Sequence, residues 1–421
     1  MNILQRAARF VESLRKPGDP RQCPYCGSRM TKRNGTYRRT VRLLGGAQQV
    51  VVPRYWCHAC RKSYSAQDRR WAPRMRYGRE VERKALDMYF HMQVSLRRVA
   101  EWLRGEVAPG TGRSRHWCPW AEVGDERQPG ARLSHVSIWR WGREAGQRAR
   151  QRRQERAWAG VIPFCGGVVA DATAICIRGK WQSVHTIIDA ASRVSMQLER
   201  VVEEGEMYLA GRFRAWLAAW GIPWQQVRLL VTDGARVYSG VLSQVLRRAR
   251  QQRCLFHLWR NLLPDIQAYT ARMGKAAGLW VRFTLKALFA ASSLEEARLC
   301  LEDVERTFAA MPDLAGVLRT VRHALPELWG ALEVKLPLSE RTSNVAERSF
   351  RGLKQRTGRM GNFMSEEGAD NFLEAWSVYS NFEPYQVRRE RKRRYRYPGQ
   401  SPLAIAQADV AGYCWLDALE I

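Results

Sequence analysis

Three acidic residues stand in settings that do not suit ordinary surface carboxylates. Asp171 interrupts the apolar run Val-Val-Ala-Asp-Ala-Thr (168–173), Asp233 ends Leu-Leu-Val-Thr-Asp-Gly (229–234), and Glu347 sits in Thr-Ser-Asn-Val-Ala-Glu-Arg (342–348). A carboxylate inside an apolar strand is expensive to desolvate unless a cation or a donor compensates it. Divalent magnesium is a hard ion that takes oxygen ligands. Two such ions can activate the attacking oxygen and stabilise the leaving oxygen of a phosphodiester displacement. A second, softer grouping is made of thiols. Cys23-Pro-Tyr-Cys26 and Cys57-His-Ala-Cys60 are two Cys-x-x-Cys knuckles with thirty residues between them. Each lets two thiolates approach one ion from a tight turn, and together they complete a closed structural site for one zinc.

Plainer readings stand beside these. Asp233-Gly234 is also a loop-forming pair. Glu347 follows Asn344 by three residues and precedes Arg351 by four, so it can serve as a capping-box glutamate with an ion-pair partner. Cys254 and His257 have the Cys-x-x-His spacing of half a zinc site, but no second knuckle lies near them in sequence. A buried core histidine is the bland alternative.

Seventy Lys and Arg against forty Asp and Glu give the 421-residue chain a net charge of +30. Such an excess attracts polyanions and repels itself without one, so nucleic acid is the expected partner. No apolar stretch approaches the length of a membrane span. The start, Met1 to Lys16, is broken by Arg6, Arg9 and Glu12 and lacks the apolar centre of a signal peptide, which predicts an intracellular, cytoplasmic protein with reduced thiols.

The elements that must position these groups follow from periodicity. After an N-terminal helix (1–19), strands at 35–41 and 48–55 around Gly45-Gly46 make a ribbon (20–66) between the knuckles. Arg38, Arg39 and Arg42, with aromatic residues interleaved, suit contact with DNA. Helical spacing over 77–103, a second start at Ser95, and a third at Ser134 predict a helical region (77–157). There Ser137, Trp139 and Arg140 are base-edge and phosphate candidates. The basic run 147–156 reads as a solvated helix face. Runs at 166–177, 181–190 and 193–202 predict three consecutive strands, followed by a helix over 207–220 and a strand buried on both faces at 227–232. Residues 261–338 read as helical throughout, with Ser292 and Glu295 or Ser293 and Glu296 as a capping box. In the block 339–384, Ala346, Phe350 and Leu353 share one helix face, while Glu347, Arg351 and Lys354 share another. The last segment, 385–421, reads as a basic tail whose Arg391, Lys392, Arg393 and Arg394 grip phosphates without reading bases.

Taken with the block Arg341 to Phe350 and its continuation Gly352 to Phe363, the three carboxylate settings resemble those of DDE transposases of the Mutator type. Gln252-Arg-Cys-Leu-Phe-His257 resembles the Cys-or-Asp-x-x-His block of the same group. The resemblance implies a multidomain chain: a zinc ribbon, a helical, helix-turn-helix-like DNA-binding region, and an α/β ribonuclease-H-like core (163–260 and 339–384). An all-helical insertion (261–338) interrupts that core. It implies that Asp171, Asp233 and Glu347 hold two Mg2+ or Mn2+ ions, and that Cys254, His257, Arg351 and Lys354 position substrate. The implied partners are the element's terminal inverted repeats, target DNA, and further copies of the chain in a homodimer or larger synaptic assembly. The implied setting is the nucleoid of a prokaryote. A catalytically inactive DNA-binding derivative, or another ribonuclease-H-like nuclease, would share most of these features.

Overall fold

The computed structural model describes residues 21–65, 76–107, 133–203, 205–336, 344–385 and 397–421. Their contacts divide into two compact units, one within 11–148 together with 413–421, the other within 149–412. The expected N-terminal helix, the basic run 388–396 and the residues preceding Asn344 lie outside the described residues.

In the first unit, β1 (Thr31–Leu43), β2 (Gly46–Cys57) and β3 (Ser63–Ser65) form an antiparallel sheet in the order β1-β2-β3. The first two strands run well past their expected limits. Pairing extends from Leu43↔Gly46 to Thr31↔Cys57, with one irregularity between Arg33 and Thr36. Two-sided polar sequence hides such length, because a ladder held by backbone bonds needs little apolar alternation. Gly45, at φ 88°, takes the left-handed conformation that the tight turn requires. Three helices follow: α1 (Arg79–Phe90), α2 (Leu96–Val107) and α3 (His135–Gln154). The Ser95 and Ser134 hydroxyls accept from the backbone N–H groups of Arg98 and Ser137, satisfying helix-start donors as expected. Val81, Ala85 and Leu86 of α1 and Val99, Ala100 and Leu103 of α2 are fully buried. The ribbon is strapped to these helices by backbone bonds between Arg42 and both Arg76 and Gly78, and by Leu44 N–H donating to Glu80.

The end of the chain is not only a basic tail. The helical turn Trp415–Ala418 packs Trp415 against Phe90 at 4.9 Å between ring centroids. Arg83 binds the Asp417 carboxylate at 2.8 Å and donates to the Ile421 carbonyl at 2.6 Å. Four apolar positions, Trp415, Leu416, Leu419 and Ile421, supply the burial that holds the segment in place.

The second unit is built on a five-stranded sheet. β4 (Gly167–Ile177), β5 (Lys180–Asp189) and β6 (Ser195–Arg200) form an antiparallel meander. α4 (Glu206–Ala219) then carries the chain back to β7 (Leu229–Thr232), which pairs in parallel with β4, and β8 (Arg250–Arg253) pairs in parallel with β7. The strand order is β6-β5-β4-β7-β8. β7 is buried along its whole length, as its unbroken apolar run predicts.

Between β8 and the last long helices, the described residues are helical. α5 (Leu255–Met273), α6 (Lys275–Ala290), α7 (Leu294–Ala309) and α8 (Ala315–Ala324) enclose their own core around Leu262, Val281, Leu285, Val304, Phe308 and Val321. Ser293 caps α7, while the Glu296 carboxylate accepts from Ser292. α9 (Asn344–Met360) packs on β4 and β5, and α10 (Glu366–Phe382) packs on β6. Phe363, just after α9, exchanges backbone hydrogen bonds with the end of β4: its N–H donates to Cys176 and its carbonyl accepts from Arg178, each at 2.9 Å. The basic stretch read as solvated is partly internal. Arg153 pairs with Glu374 of α10 and lies 3.9 Å from Glu199, and Arg150 lies 3.7 Å from Glu374. Partners more than 40 residues away consume charges that a local reading leaves to water.

Candidate active site and metal centre

The cysteine quartet assembles at the open end of the ribbon. Cys57 closes β2, the register Thr31↔Cys57 sets β1 beside it, and the first knuckle lies just before β1. The turns are tied by Gly27 N–H to the Cys23 carbonyl and by Cys57 N–H to the Lys62 carbonyl. Cys23 and Cys60 sulfurs are 3.6 Å apart, as are those of Cys26 and Cys57. A disulfide would hold them at about 2.05 Å, whereas a tetrahedron with Zn–S bonds of about 2.3 Å has edges of about 3.8 Å. The donor set therefore fits one zinc. Burial alone would raise the Cys23 thiol, yet backbone hydrogen bonds at Tyr25 and Cys26 outweigh it and bring it down to about 7. Burial and the neighbouring thiols push Cys60 up to about 12. One thiolate forms readily and the next resists, a frustration that a dication removes.

The carboxylates are positioned by strand register instead. β4 and β7 pair as Gly167↔Leu229, Val168↔Leu230 and Val169↔Val231. The pairing ends at Val169↔Val231, and Asp171 and Asp233 each follow two residues beyond that last pair, Asp171 within β4 and Asp233 just past the end of β7. This is where strand order reverses, with β5 and β6 on one side of β4 and β7 and β8 on the other. Open α/β sheets bind ligands at such a point, beyond the carboxyl ends of the parallel strands. Asp171 is 6% exposed and accepts from Ala172 N–H at 2.8 Å. Asp233, half-buried, accepts from Ala235 N–H at 2.8 Å, so the loop-forming role also holds. Gly234 has φ 88°, and a Cβ added there would lie 2.6 Å from the Arg253 guanidinium carbon.

Cys254 and His257 join the two aspartates. Cys254 is fully buried at the N-terminus of α5, its N–H donating to the Thr232 carbonyl at 2.6 Å, and His257 follows in the first turn. A side-chain hydrogen bond to Cys254 and the charges of Asp171 and Asp233 raise the His257 pKa against the pull of burial. The four residues thus share one electrostatic neighbourhood. The sequence reading missed three others beside it. Arg253 lies 3.6 Å from Glu327, whose own pKa is raised by burial and by Asp233 and lowered by Arg253 and His323. Adjacency to Cys254 could have singled out Arg253; no local pattern points to His323 or Glu327.

Glu347 lies half-buried in the first turn of α9. The helix divides as its spacing predicts, with Ala346, Phe350 and Leu353 buried and Arg351 and Lys354 exposed. Glu340, a nearby alternative, lies outside the described residues. Among the described residues, only the cysteine quartet brings three or more potential ligand atoms all within 4.8 Å of one another. Asp171, Asp233 and Glu347 do not form such a group.

On the first unit, Val136, Trp139, Arg140 and Arg143 line one face of α3, with the Arg143 guanidinium 5.3 Å over the Trp139 ring. Trp139 and Arg140 are exposed, whereas the Ser137 hydroxyl lies 3.2 Å from that of Ser134 at the helix cap. Arg38 is exposed, and Arg39 and Arg42 are half-buried on the ribbon. Arg391, Lys392, Arg393 and Arg394 lie outside the described residues. No described helix is long and apolar enough to cross a membrane.

Comparison with known proteins bears on the second unit. The transposase for insertion sequence element IS905 of Lactococcus lactis subsp. lactis (strain IL1403) is 27% identical over 163 residues, which are 38% of this chain and 39% of that one. The chain thus matches about two fifths of the length of this curated relative. The profile of the Mutator family of transposases matches residues 155–382. That span, 228 of 421 residues, contains all three carboxylates as well as Cys254 and His257, and by this match the chain belongs to the Mutator family of transposases.

Proposed function

We propose that the protein is the transposase of a prokaryotic insertion sequence, binding the terminal repeats of its own element and carrying out DNA strand cleavage and strand transfer. The observation that carries this reading is that Asp171 and Asp233, each two residues past the last β4–β7 pair, both bear on His257 beside the strand-order reversal, within a span matched by the transposase family. The three-strand meander followed by a helix and a buried parallel strand is what a ribonuclease-H-like core requires, and it supports that assignment. Glu347 as the third carboxylate is supported by helix length. From Glu347 to Met360, α9 rises about 20 Å. From Asp171 to Ile177, β4 also advances about 20 Å. The two spans meet where Phe363 bonds to the end of β4.

Asp171, Asp233 and Glu347 would hold two Mg2+ or Mn2+ ions, which supply Lewis acidity to the attacking water or 3′ hydroxyl and to the leaving 3′ oxygen. The chain's own residues do the rest. His257, whose pKa is raised by its hydrogen bond to Cys254 and by the two aspartates, offers an imidazole beside them in the first turn of α5. Arg253 braces the Asp233-Gly234 turn, and Arg351 and Lys354 offer charge to phosphates beside Glu347. The quartet Cys23, Cys26, Cys57 and Cys60 would hold one structural zinc and so order a basic ribbon for DNA. A cytoplasmic, nucleoid-associated setting belongs to the same reading.

The test is strand cleavage and joining of labelled element ends in Mg2+. Asp171→Asn, Asp233→Asn and Glu347→Gln should each leave folding and DNA affinity intact. Cleavage should fall by roughly a thousandfold, the loss of several kcal/mol of charge stabilisation. Undiminished cleavage by all three variants would refute the mechanism.

A further inference from the structure

β8 is an edge strand of the five-stranded sheet, and each of its four residues meets the end of the helical insertion. Arg250 pairs with Glu333 at 2.9 Å, and the buried Gln252 side chain accepts from Ala331 N–H at 3.1 Å. A Cβ on Gly330 would lie 2.2 Å from the Gln251 carbonyl oxygen, so only a glycine lets the short helix Gly330–Val334 come this close to the strand. Arg253 reaches Glu327, in the 3-10 turn Leu325–Glu327, at 3.6 Å. An edge strand needs some cover, but cover alone does not require what these contacts do next.

Two of them continue past β8 to the Asp233 turn. Gln251 Nε2 donates to Thr232 Oγ1 at 3.3 Å, and the same oxygen accepts from Gly234 N–H at 3.2 Å. The Arg253 guanidinium fills the space that a Cβ on Gly234 would take. Both neighbours of Asp233 in the chain are therefore held by β8 residues that the insertion holds in turn. The guanidinium is also a fixed cation beside a carboxylate proposed to bind a dication. Unopposed, it would pair with Asp233 and disfavour the ion. Glu327, partly buried and within electrostatic reach of Asp233, gives it another partner.

We propose that segment 325–334 of the insertion positions the second carboxylate, with Glu327 holding Arg253 against Gly234 and away from Asp233. Glu327 and Gly330 are then positioning residues, and the insertion is part of the support of the site. This rests on the transposase reading, in which Asp233 binds metal.

Two measurements on the zinc-loaded full-length protein test this: Mn2+ binding, read from the paramagnetic signal of the free ion, and amide hydrogen exchange over 229–238. Glu327→Gln keeps the shape of the side chain and removes its charge. It should weaken Mn2+ binding about tenfold and quicken exchange in 229–238 about tenfold, with exchange in 184–188 as in the wild type. Cleavage of element ends should need correspondingly more Mg2+ and recover at saturation. Gly330→Val, which pries the segment off β8, should act in the same direction. Unchanged exchange in Glu327→Gln would overturn the proposal, as would an unchanged Mn2+ affinity where Asp233→Asn has lost it; a lower melting temperature alone would mark a segment that merely covers an edge. If Asp233→Asn binds Mn2+ as tightly as the wild type, the carboxylate reading fails instead, and exchange at 229–238 alone decides whether the insertion holds the turn.

Discussion

The cysteine quartet and the three carboxylates of the proposed active site draw their residues from very different lengths of chain. Each cysteine pair spans a single turn, and one hairpin joins the two pairs. The surrounding core is slight, with Val41, Val50 and Val52 as one cluster and Cys23, Cys57 and Tyr64 as another. Asp171, Asp233 and Glu347 come from a central strand, a strand end and a helix start, separated by 62 and 114 residues, and each rests on a large apolar interior. On the proposed reading, a bound zinc would order the first region, whereas in the second the apolar interior positions the carboxylates. The family match repeats the division, since it covers the carboxylates and begins well after the cysteines.

The comparison breaks most visibly if both sites respond alike to metal removal. Stripping zinc with a thiol-competent chelator, or Cys23→Ser combined with Cys26→Ser, should unfold the ribbon, because structural zinc contributes about 10 kcal/mol or more to domains of this kind. Elemental analysis should fall from about one zinc per chain to none, and proteolysis should open within 21–65. Removing Mg2+ should leave the melting of the second unit nearly unchanged. A ribbon that stays protected without metal would reverse the distinction.

A smaller effect tests whether the carboxylate site is held by its neighbours. His257→Gln should weaken the apparent Mg2+ affinity of cleavage by about 10- to 100-fold with zinc content unchanged. If only thermal stability moves, His257 is a core residue and nothing more. Gly234→Ala should cost about 1–3 kcal/mol of stability, because φ 88° and the Arg253 guanidinium both oppose a side chain there. Urea unfolding would measure it, and an unaltered midpoint would show that the Asp233 turn is not braced by Arg253.

The smallest expected effect concerns buried charge without a metal. Glu82, 1% exposed in α1, is raised from 4.5 to about 7 by burial and by Glu144, against the pull of Arg79, Arg148 and Arg83. Its folded value exceeds its unfolded value, so this contribution to stability is complete below about 4.5 and lost as pH rises through about 7. Glu82→Gln should therefore raise the melting temperature of the first unit by a few degrees at pH 8 and leave it unchanged at pH 4. Equal shifts at both pH values would show that ionisation is not the cause.

Much of this was legible without coordinates. Spacing alone located the knuckles, since two cysteines three apart can reach one ion wherever the turn lies. Apolar runs located β4, β5, β6 and β7 within a few residues, and helical periodicity separated the buried face of Ala346, Phe350 and Leu353 from the face of Glu347. Those features are set by interactions within a turn or along one element.

Only tertiary structure could decide what depends on distant partners. Nothing local to Asp171 names Asp233 as its neighbour; the parallel pairing of β4 with β7 does, and it exists because two apolar strands on either side of a helical crossover bury each other. Pairing of Arg153 with Glu374, the approach of Glu327 to Arg253, and the return of Trp415 to Phe90 likewise join residues that no sequence window contains.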